Sequence, residues 1–186
     1  VSLMTVGCGA DIGPQPSGTL AIAEDHGRAI ATEAKRLFNH KTIKLNHSPS
    51  VSSRRISLPL AKPKPRKYWE AQLKSGGFNH QLAKAMLAKL DAAGEISDEV
   101  DYPLSVWKFG SQLAIVFLAG EVVVDYSVRL KRELDWSRLW INGWANDMPG
   151  YIPSRRILLE GGYEADFSQV YYEQPGRYDP SVEDKL

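Results

Sequence analysis

Glu121 combines a residue type and a position that are typical of a functional carboxylate. It follows the apolar run Leu113–Ala119 through Gly120, and a helical pattern begins just beyond it. In α/β sheets, ligands bind at the carboxyl ends of strands, where turns of this kind lie. A buried carboxylate there is costly unless it is paired or bound to a metal ion. A first-turn glutamate favoured by the helix dipole explains the same position, so both interpretations stay open.

Two tyrosines and a glycine-rich loop are further candidates. Tyr151 lies in the loop Asn146–Pro153 after a predicted strand, and Tyr163 follows a Gly-Gly pair. Taken alone, each is typical of a half-buried loop aromatic. The loop Cys8–Gly18 offers main-chain amides at a strand-to-helix turn, where an anion can bind. It lacks the Gly-Lys-Ser/Thr of a phosphate-binding loop.

The histidines and the single cysteine predict no metal site by themselves. His26, His40, His47 and His80 show neither HxH nor HExxH spacing. Metal sites require clustered ligands, so a solvated or locally hydrogen-bonded role is favoured for each histidine. Cys8 has no second cysteine to pair with, which excludes an intrachain disulfide and a cysteine-based zinc site within this chain.

The spacing of apolar residues predicts a mixed arrangement of elements around these candidates. Strands and helices alternate irregularly and at least one hairpin is indicated at Gly110-Ser111, so the fold class is α/β or α+β with a mixed sheet flanked by helices. The predicted elements are a strand Val1–Gly7, a helix Leu20–Phe38 capped by Thr19, a strand Ile56–Leu60 at a sheet edge because of Pro59, helices Tyr68–Leu73 and Asn79–Ala93, hairpin strands Leu104–Phe109 and Leu113–Leu118, a helix with Val124, Val128 and Leu130 facing inward, a strand Leu139–Ala145, a helix Ser154–Glu160 and a polar tail over 175–186.

Length, composition and charge narrow the class of protein. A chain of 186 residues with 43% apolar and 24% charged residues is ordinary for one globular domain. The net charge of +1 gives no electrostatic drive toward nucleic acid. No apolar run reaches the ~18 residues of a membrane-spanning helix. We therefore expect no nucleic-acid partner and no transmembrane segment.

Three segments together resemble the neutral ceramidase family, in particular the shorter bacterial ceramidase-like proteins. Their order and spacing carry the resemblance, which extends over most of the chain and is least diagnostic in Asn39–Val100. The segments are GCGADIGPQPSGTLAIAEDHGRAIA from Gly7, YPLSVWKFGSQLAIVFLAGEVVVDYSVRLKREL from Tyr102 and WINGWANDMPGYIPSRRILLEGGYEADFSQVYY from Trp140.

The resemblance implies a zinc-dependent amide hydrolase whose zinc ion is held by two histidines, a glutamate and a tyrosine. In this sequence the glutamate ligand falls on Glu121 in AGEVV, and the tyrosine ligand on Tyr151 in GYIPS. Tyr163 in GGYEA matches a tyrosine beside the reacting carbonyl, which implies an oxyanion role. The implied substrate is a lipid-like N-acyl or sphingolipid amide. Peripheral membrane contact and an extracellular or periplasmic location are implied in the same way.

The sequence departs from the family in two places. The family's histidine ligands lie upstream of the segment that matches Gly7–Pro14, so the 186 residues resemble the C-terminal portion of the catalytic domain, and we expect an incomplete domain with exposed apolar surface. In the family's substrate loop, Gly-Asp/Asn-x-Ser-Pro-Asn, Asp11 matches the Asp/Asn, which implies a catalytic role for it. Pro14 matches the proline of the same loop, while Gly13 replaces the catalytic serine. The alternative to a hydrolase is therefore a non-catalytic binding or interaction module.

Overall fold

The computed structural model describes residues 4–186. The predicted strand Val1–Gly7 therefore lies partly outside the described residues. Its described part, Met4–Gly7, is not a strand. It is tied to the sheet region by a hydrogen bond in which the Gly143 main-chain N–H donates to the Val6 carbonyl, at 3.0 Å.

The chain folds into a mixed α+β structure, which confirms the predicted fold class. A four-stranded sheet has the order β1-β2-β3-β5, with antiparallel pairing except between β3 and β5, which are parallel. The short strands β4 and β6 form a parallel pair of their own. The strands are β1 Ser50–Pro59, β2 Glu99–Phe109, β3 Leu113–Leu118, β4 Glu121–Val122, β5 Leu139–Asn142 and β6 Tyr151–Ile152, and the α-helices are α1 Leu20–Phe38, α2 Arg66–Gln72, α3 Gly77–Ala93, α4 Val124–Glu133, α5 Arg155–Glu160 and α6 Val182–Lys185.

The hairpin and the edge strand follow local sequence patterns. β2 and β3 pair through a turn at Gly110, whose φ of +56° suits glycine. β1 pairs with β2 alone, so Pro59 at its end leaves no sheet hydrogen bond unmade on the outer side. Both predictions are confirmed, although β1 starts six residues earlier than the predicted strand, because Ser50–Arg55 pairs with β2 despite its polar sequence.

The core lies on one face of the sheet. Tyr102 and Leu118 project from the strands and are buried against Tyr126 of α4 and Leu158 of α5. Tyr102 donates a hydrogen bond of 2.8 Å to the Ala119 carbonyl, which satisfies its buried hydroxyl. A second, smaller cluster joins α2 and α3 around Trp69, Ala83 and Met86.

The segment 175–186, predicted as a polar tail, contributes to the core. Tyr178 and Val182 are almost fully buried, and a β-bridge joins Tyr178 to Leu60 at the end of β1. The segment is polar in composition, but Tyr178, Val182 and Leu186 pack against the core. Because this docking depends on a partner distant in sequence, local composition does not predict it.

One helix has no buried residue, and another differs from its predicted burial. Thr19 caps α1 through a hydrogen bond from the Ile22 N–H, and the helix has the predicted bounds, but no residue of α1 is buried. In α4 the predicted inward Val128 is 58% exposed and Tyr126 is buried instead. The prediction for Val128 is wrong because the helix turns its aromatic side chain, rather than that valine, to the sheet.

The second face of the sheet is apolar and open. The strand register sets Trp107, Ile115 and Trp140 side by side across β2, β3 and β5. Phe117 packs on Trp107 with ring centroids 5.3 Å apart, yet Trp107 and Trp140 remain 39% and 59% exposed. This face therefore leaves apolar surface exposed to water, while the prediction of an incomplete domain stays a prediction. Over residues 4–186, the helices are all too short or too polar to cross a membrane.

Candidate active site

The site begins with a backbone turn that only glycine can make. Gly120 has a φ of +72°, and a Cβ atom there would lie 2.4 Å from the Gly150 carbonyl oxygen. The same carbonyl accepts a 2.9 Å hydrogen bond from the Glu121 N–H. The close approach of these two loops fixes where Glu121 enters β4 relative to Tyr151 in β6.

Glu121 and Tyr151 are direct neighbours in the parallel pair of β4 and β6. Paired residues of adjacent strands project to the same side of the sheet, so the carboxylate and the phenol share one face. Both residues are half-buried. The structure therefore brings together the two residues that the resemblance assigns as metal ligands, although 29 residues separate them in the sequence.

Tyr172 is a third member of this cluster. Its hydroxyl donates a 2.6 Å hydrogen bond to Oε1 of Glu121. Its ring packs edge-on to that of Tyr151, with centroids 6.3 Å apart, and it also lies against Gly150. Hydrogen bonds to an ionised carboxylate are short and strong, so Tyr172 fixes the orientation of Glu121.

Tyr163 completes the cluster at its solvent side. Its ring meets the Tyr151 ring edge-on at 5.3 Å between centroids, and the side chain is 45% exposed. Tyr163 opens a π-helical turn, Tyr163–Phe167, after two glycines whose φ angles are +73° and +105°. The Asp166 carboxylate accepts from the Gly162 N–H at 3.0 Å, which closes the turn. Turns of this type occur frequently at functional sites.

The phenols around Glu121 are held in the neutral, proton-donating state. Burial, followed by hydrogen bonding to Glu121 and its negative charge, raises the pKa of Tyr172 to about 12. The same causes raise the pKa of Tyr151 further. Both phenols therefore keep their protons at neutral pH, and Tyr172 donates its one proton to Glu121. A bound cation would reverse the shift, because it stabilises the phenolate.

The cluster is a partial match to a zinc site. Glu121, Tyr151 and Tyr172 supply oxygen donors, whereas zinc sites hold four ligands, usually with nitrogen or sulfur among them. Among residues 4–186, no group of three or more His, Cys, Asp or Glu side chains lies close enough to hold a metal ion. The described residues therefore offer oxygen donors on one side of a possible ion position but do not form a complete zinc ligand set.

Asp11 makes its contacts at the start of α4, apart from this cluster. Its Oδ1 accepts a 2.8 Å hydrogen bond from the Val124 N–H, and its Oδ2 lies 3.4 Å from the Arg156 guanidinium. Asp11 thus caps the N-terminus of α4, where the N-cap residue Val123 has no side chain that can accept a hydrogen bond. Its contacts are structural, and its predicted catalytic role stays a prediction.

The predicted substrate loop is exposed. Gly13 and Pro14 lie on the surface, and a Cβ atom at Gly13 would meet no atom within 4 Å. The loop therefore has room for a larger residue at this position. No contact joins Gly13 or Pro14 to the tyrosine cluster in the described structure.

Tyr172 is the site residue that the sequence did not single out. It lies beside Tyr171 in a polar stretch with no clear period, and no local signal separates the two tyrosines. Only the long-range contact with Glu121 distinguishes it.

Comparison of the chain with protein-family models, with curated proteins and with solved structures found no match.

Proposed function

We propose that the cluster of Glu121, Tyr151, Tyr163 and Tyr172 is part of the active site of a zinc-dependent amide hydrolase related to the ceramidases. The observation that carries this proposal is the direct pairing of Glu121 with Tyr151, because it sets the two implied ligands on one face of adjacent strands. Tyr163 supports it by packing against Tyr151 from the solvent side.

Each residue of the cluster would have its own role in zinc binding or in amide hydrolysis. Glu121 and Tyr151 would hold one side of the zinc ion, with histidines from outside the described residues on the other. When bound, zinc supplies a Lewis acid and a water molecule of lowered pKa. Tyr163 would donate a hydrogen bond to the oxyanion that forms at the amide carbonyl. Tyr172 would act as a positioning residue, because it holds the Glu121 carboxylate in place.

A lipid-like amide substrate is consistent with the surface beside Tyr163. Leu159, near the end of α5, is 80% exposed, and Phe167, at the end of the π-helical turn, is 67% exposed. Both lie on the elements that flank the Gly-Gly pair before Tyr163. Exposed apolar side chains this close to Tyr163 in the sequence suit an acyl chain and a peripheral contact with a lipid surface.

A binding or interaction module is the second candidate. The Glu121 carboxylate already accepts a hydrogen bond from Tyr172, so the cluster can be stable without a metal ion. Gly13, in place of the family's serine, favours the same alternative. The open sheet face would then be the functional surface.

The deciding experiment uses the full-length natural protein. It measures the zinc content and the amidase activity, with an N-acylsphingosine as substrate. We expect about one bound zinc ion per chain and amide hydrolysis, both lost in Glu121→Gln and in Tyr151→Phe. Glu160→Gln, on the exposed side of α5, is the matched control and should keep both. Unchanged zinc and turnover in Glu121→Gln would overturn the ligand assignment, and wild-type protein without zinc or turnover would favour the binding module.

A further inference from the structure

A separate cleft lies between the helices α2 and α3 and the segment 166–176. Its volume is about 410 Å³, and its lining includes none of Glu121, Tyr151 and Tyr163. Pockets for small molecules typically measure about 300–1,000 Å³. The cleft is therefore large enough for a small ligand, and among its lining residues Asp166 and Phe167 belong to the turn that begins at Tyr163.

Five aromatic side chains line the cleft. Phe78 and Tyr171 meet edge to face with ring centroids 4.6 Å apart, and Tyr68 and Trp69 do the same at 4.9 Å. Trp69 is buried and anchored by a 3.0 Å hydrogen bond from its Nε1 to the Lys64 carbonyl. Phe78 and Tyr171 nevertheless stay 53% and 50% exposed. The cleft thus presents fixed aromatic faces to solvent.

A buried acceptor without a partner lies in the wall of the cleft. Gln169 lines it and is 3% exposed, and its Oε1 makes no hydrogen bond in the described structure. Its Nε2 is held by a single 3.5 Å contact with the Glu164 carbonyl, at the limit for a hydrogen bond. Because the terminal torsion of a glutamine has a broad energy minimum, the amide can turn its carbonyl to a ligand in the cleft.

Amide groups at the cleft edge offer both donors and acceptors. Gln72 uses its Oε1 to accept from Ser75, and Gln174 uses its Nε2 to donate to the Pro149 carbonyl. The Gln72 amino group and the Gln174 carbonyl oxygen therefore remain for a ligand. This set suits a molecule whose hydroxyl groups both donate and accept.

The cleft offers little to an ionic ligand. Asp166 is the charged residue among its described lining residues, and its carboxylate is paired with the Arg177 guanidinium at 2.9 Å. An acyl chain would cover the aromatic rings but leave the glutamine amides without partners, which is unfavourable. A neutral molecule with an apolar face and a polar edge matches both parts of the surface.

We propose that this cleft binds a pyranose sugar. One C–H face of the sugar ring packs on the aromatic side chains of Phe78 and Tyr171, and its hydroxyl groups pair with Gln169 and the edge amides. The sugar stands either as a free saccharide or as the head group of a larger molecule, and both present the same ring to the cleft.

The test is a calorimetric titration of the wild-type chain with methyl β-D-glucopyranoside, methyl β-D-galactopyranoside, methyl α-D-mannopyranoside and N-acetylglucosamine. We expect saturable millimolar binding of at least one of them. Phe78→Ala and Gln169→Leu should each weaken it by about tenfold or more. Phe38→Ala, an 85% exposed phenylalanine of α1, is the matched control and should leave binding unchanged.

Three outcomes would overturn the proposal. They are the absence of saturable binding of all four sugars, full affinity in Phe78→Ala with retained fold by circular dichroism, and displacement of a bound sugar by hexanol with equal or higher affinity. Glu121→Gln should bind the sugar with the affinity of the wild-type chain. The sugar-binding test is therefore independent of whether the hydrolase proposal holds.

Discussion

The Tyr172 hydroxyl donates a 2.6 Å hydrogen bond to Oε1 of Glu121 across 51 residues of sequence. This contact ties the segment Ser168–Tyr172 to the end of β3 and β4, and it sets the direction of the carboxylate. Without it, Glu121 would keep its place on β4 but not its orientation. Tyr172 thus couples the stability of the C-terminal third of the chain to the geometry of the candidate site.

Replacement of Tyr172 by phenylalanine tests that coupling. The variant loses a hydrogen bond to a half-buried carboxylate, so we expect the free energy of unfolding to fall by about 1 kcal/mol. Urea denaturation followed by circular dichroism measures the change. Tyr171→Phe is the matched control, since Tyr171 is 50% exposed, and it should leave the stability unchanged. Equal effects of the two substitutions would contradict the assigned role of Tyr172.

The raised pKa values of the cluster predict a loss of stability in alkaline solution. Burial and the neighbouring Glu121 carboxylate raise the pKa of Tyr172 from 10.0, the value of a free tyrosine, to about 12. Its contribution to stability is full below about pH 10 and is lost as the pH rises toward 12. Tyrosinate absorbance in a pH titration should show fewer groups of high pKa in Tyr172→Phe than in wild type. An unchanged titration curve would refute the shift.

Zinc should shift the same tyrosines in the opposite direction. If Glu121 and Tyr151 are ligands, metal binding favours the phenolate, so protons are released and tyrosinate absorbance appears below pH 10. We expect this signal when zinc is added to the full-length natural protein from which metal has first been removed. Tyr151→Phe should abolish it and Tyr68→Phe should not. Zinc binding without proton release in wild type would exclude Tyr151 as a ligand.

The Gly120 turn should not tolerate a side chain. Alanine there combines a φ of +72° with a Cβ atom 2.4 Å from the Gly150 oxygen, so β4 and β6 must move apart. We expect a loss of more than about 2 kcal/mol in the free energy of unfolding. Gly94→Ala has a similar φ of +79° with nothing within 4 Å, and it should lose only about 1 kcal/mol. Thermal denaturation compares the two, and similar losses would show that the contact with Gly150 is unimportant.

Substitutions at Asp11 separate its structural role from its predicted catalytic one. Asp11→Ala removes the acceptor for the Val124 N–H and the partner of Arg156, so we expect a loss of about 1 kcal/mol in stability. Asp11→Asn keeps the acceptor and should lose less. If amidase activity falls in Asp11→Asn while chemical denaturation shows normal stability, Asp11 is catalytic and its structural contacts are secondary.

Local patterns in the sequence predict where the helices and strands of this fold begin and end better than they predict which elements pack together. The bounds of α1, the β2–β3 hairpin and the end of α3 at Gly94 follow from caps, turns and periodicity within a few residues. The burial of Tyr178, the pairing of β4 with β6 and the exposure of α1 depend on contacts with distant residues. An apolar stripe shows that a helix has a preferred face, but it does not show what covers that face.

The candidate site shows the same division. Glu121 and Tyr151 stand out because each follows a strand and a glycine, which is a local signal. The resemblance to the ceramidases assigns them related roles, and the register of β4 and β6 sets them side by side. Sequence patterns do not single out Tyr172, because its role depends on one long-range hydrogen bond.

The open sheet face has a consequence for the behaviour of the chain in solution. This face carries an apolar surface made of the exposed indoles of Trp107 and Trp140 and of Phe117, which packs on Trp107. Such a surface favours reversible clustering of copies as concentration rises and should bind a dye such as anilinonaphthalene sulfonate in the native state. The colloidal behaviour of this chain is thus set by the face of the sheet opposite its core, and a charged residue in place of Trp140 should improve its solubility without loosening that core.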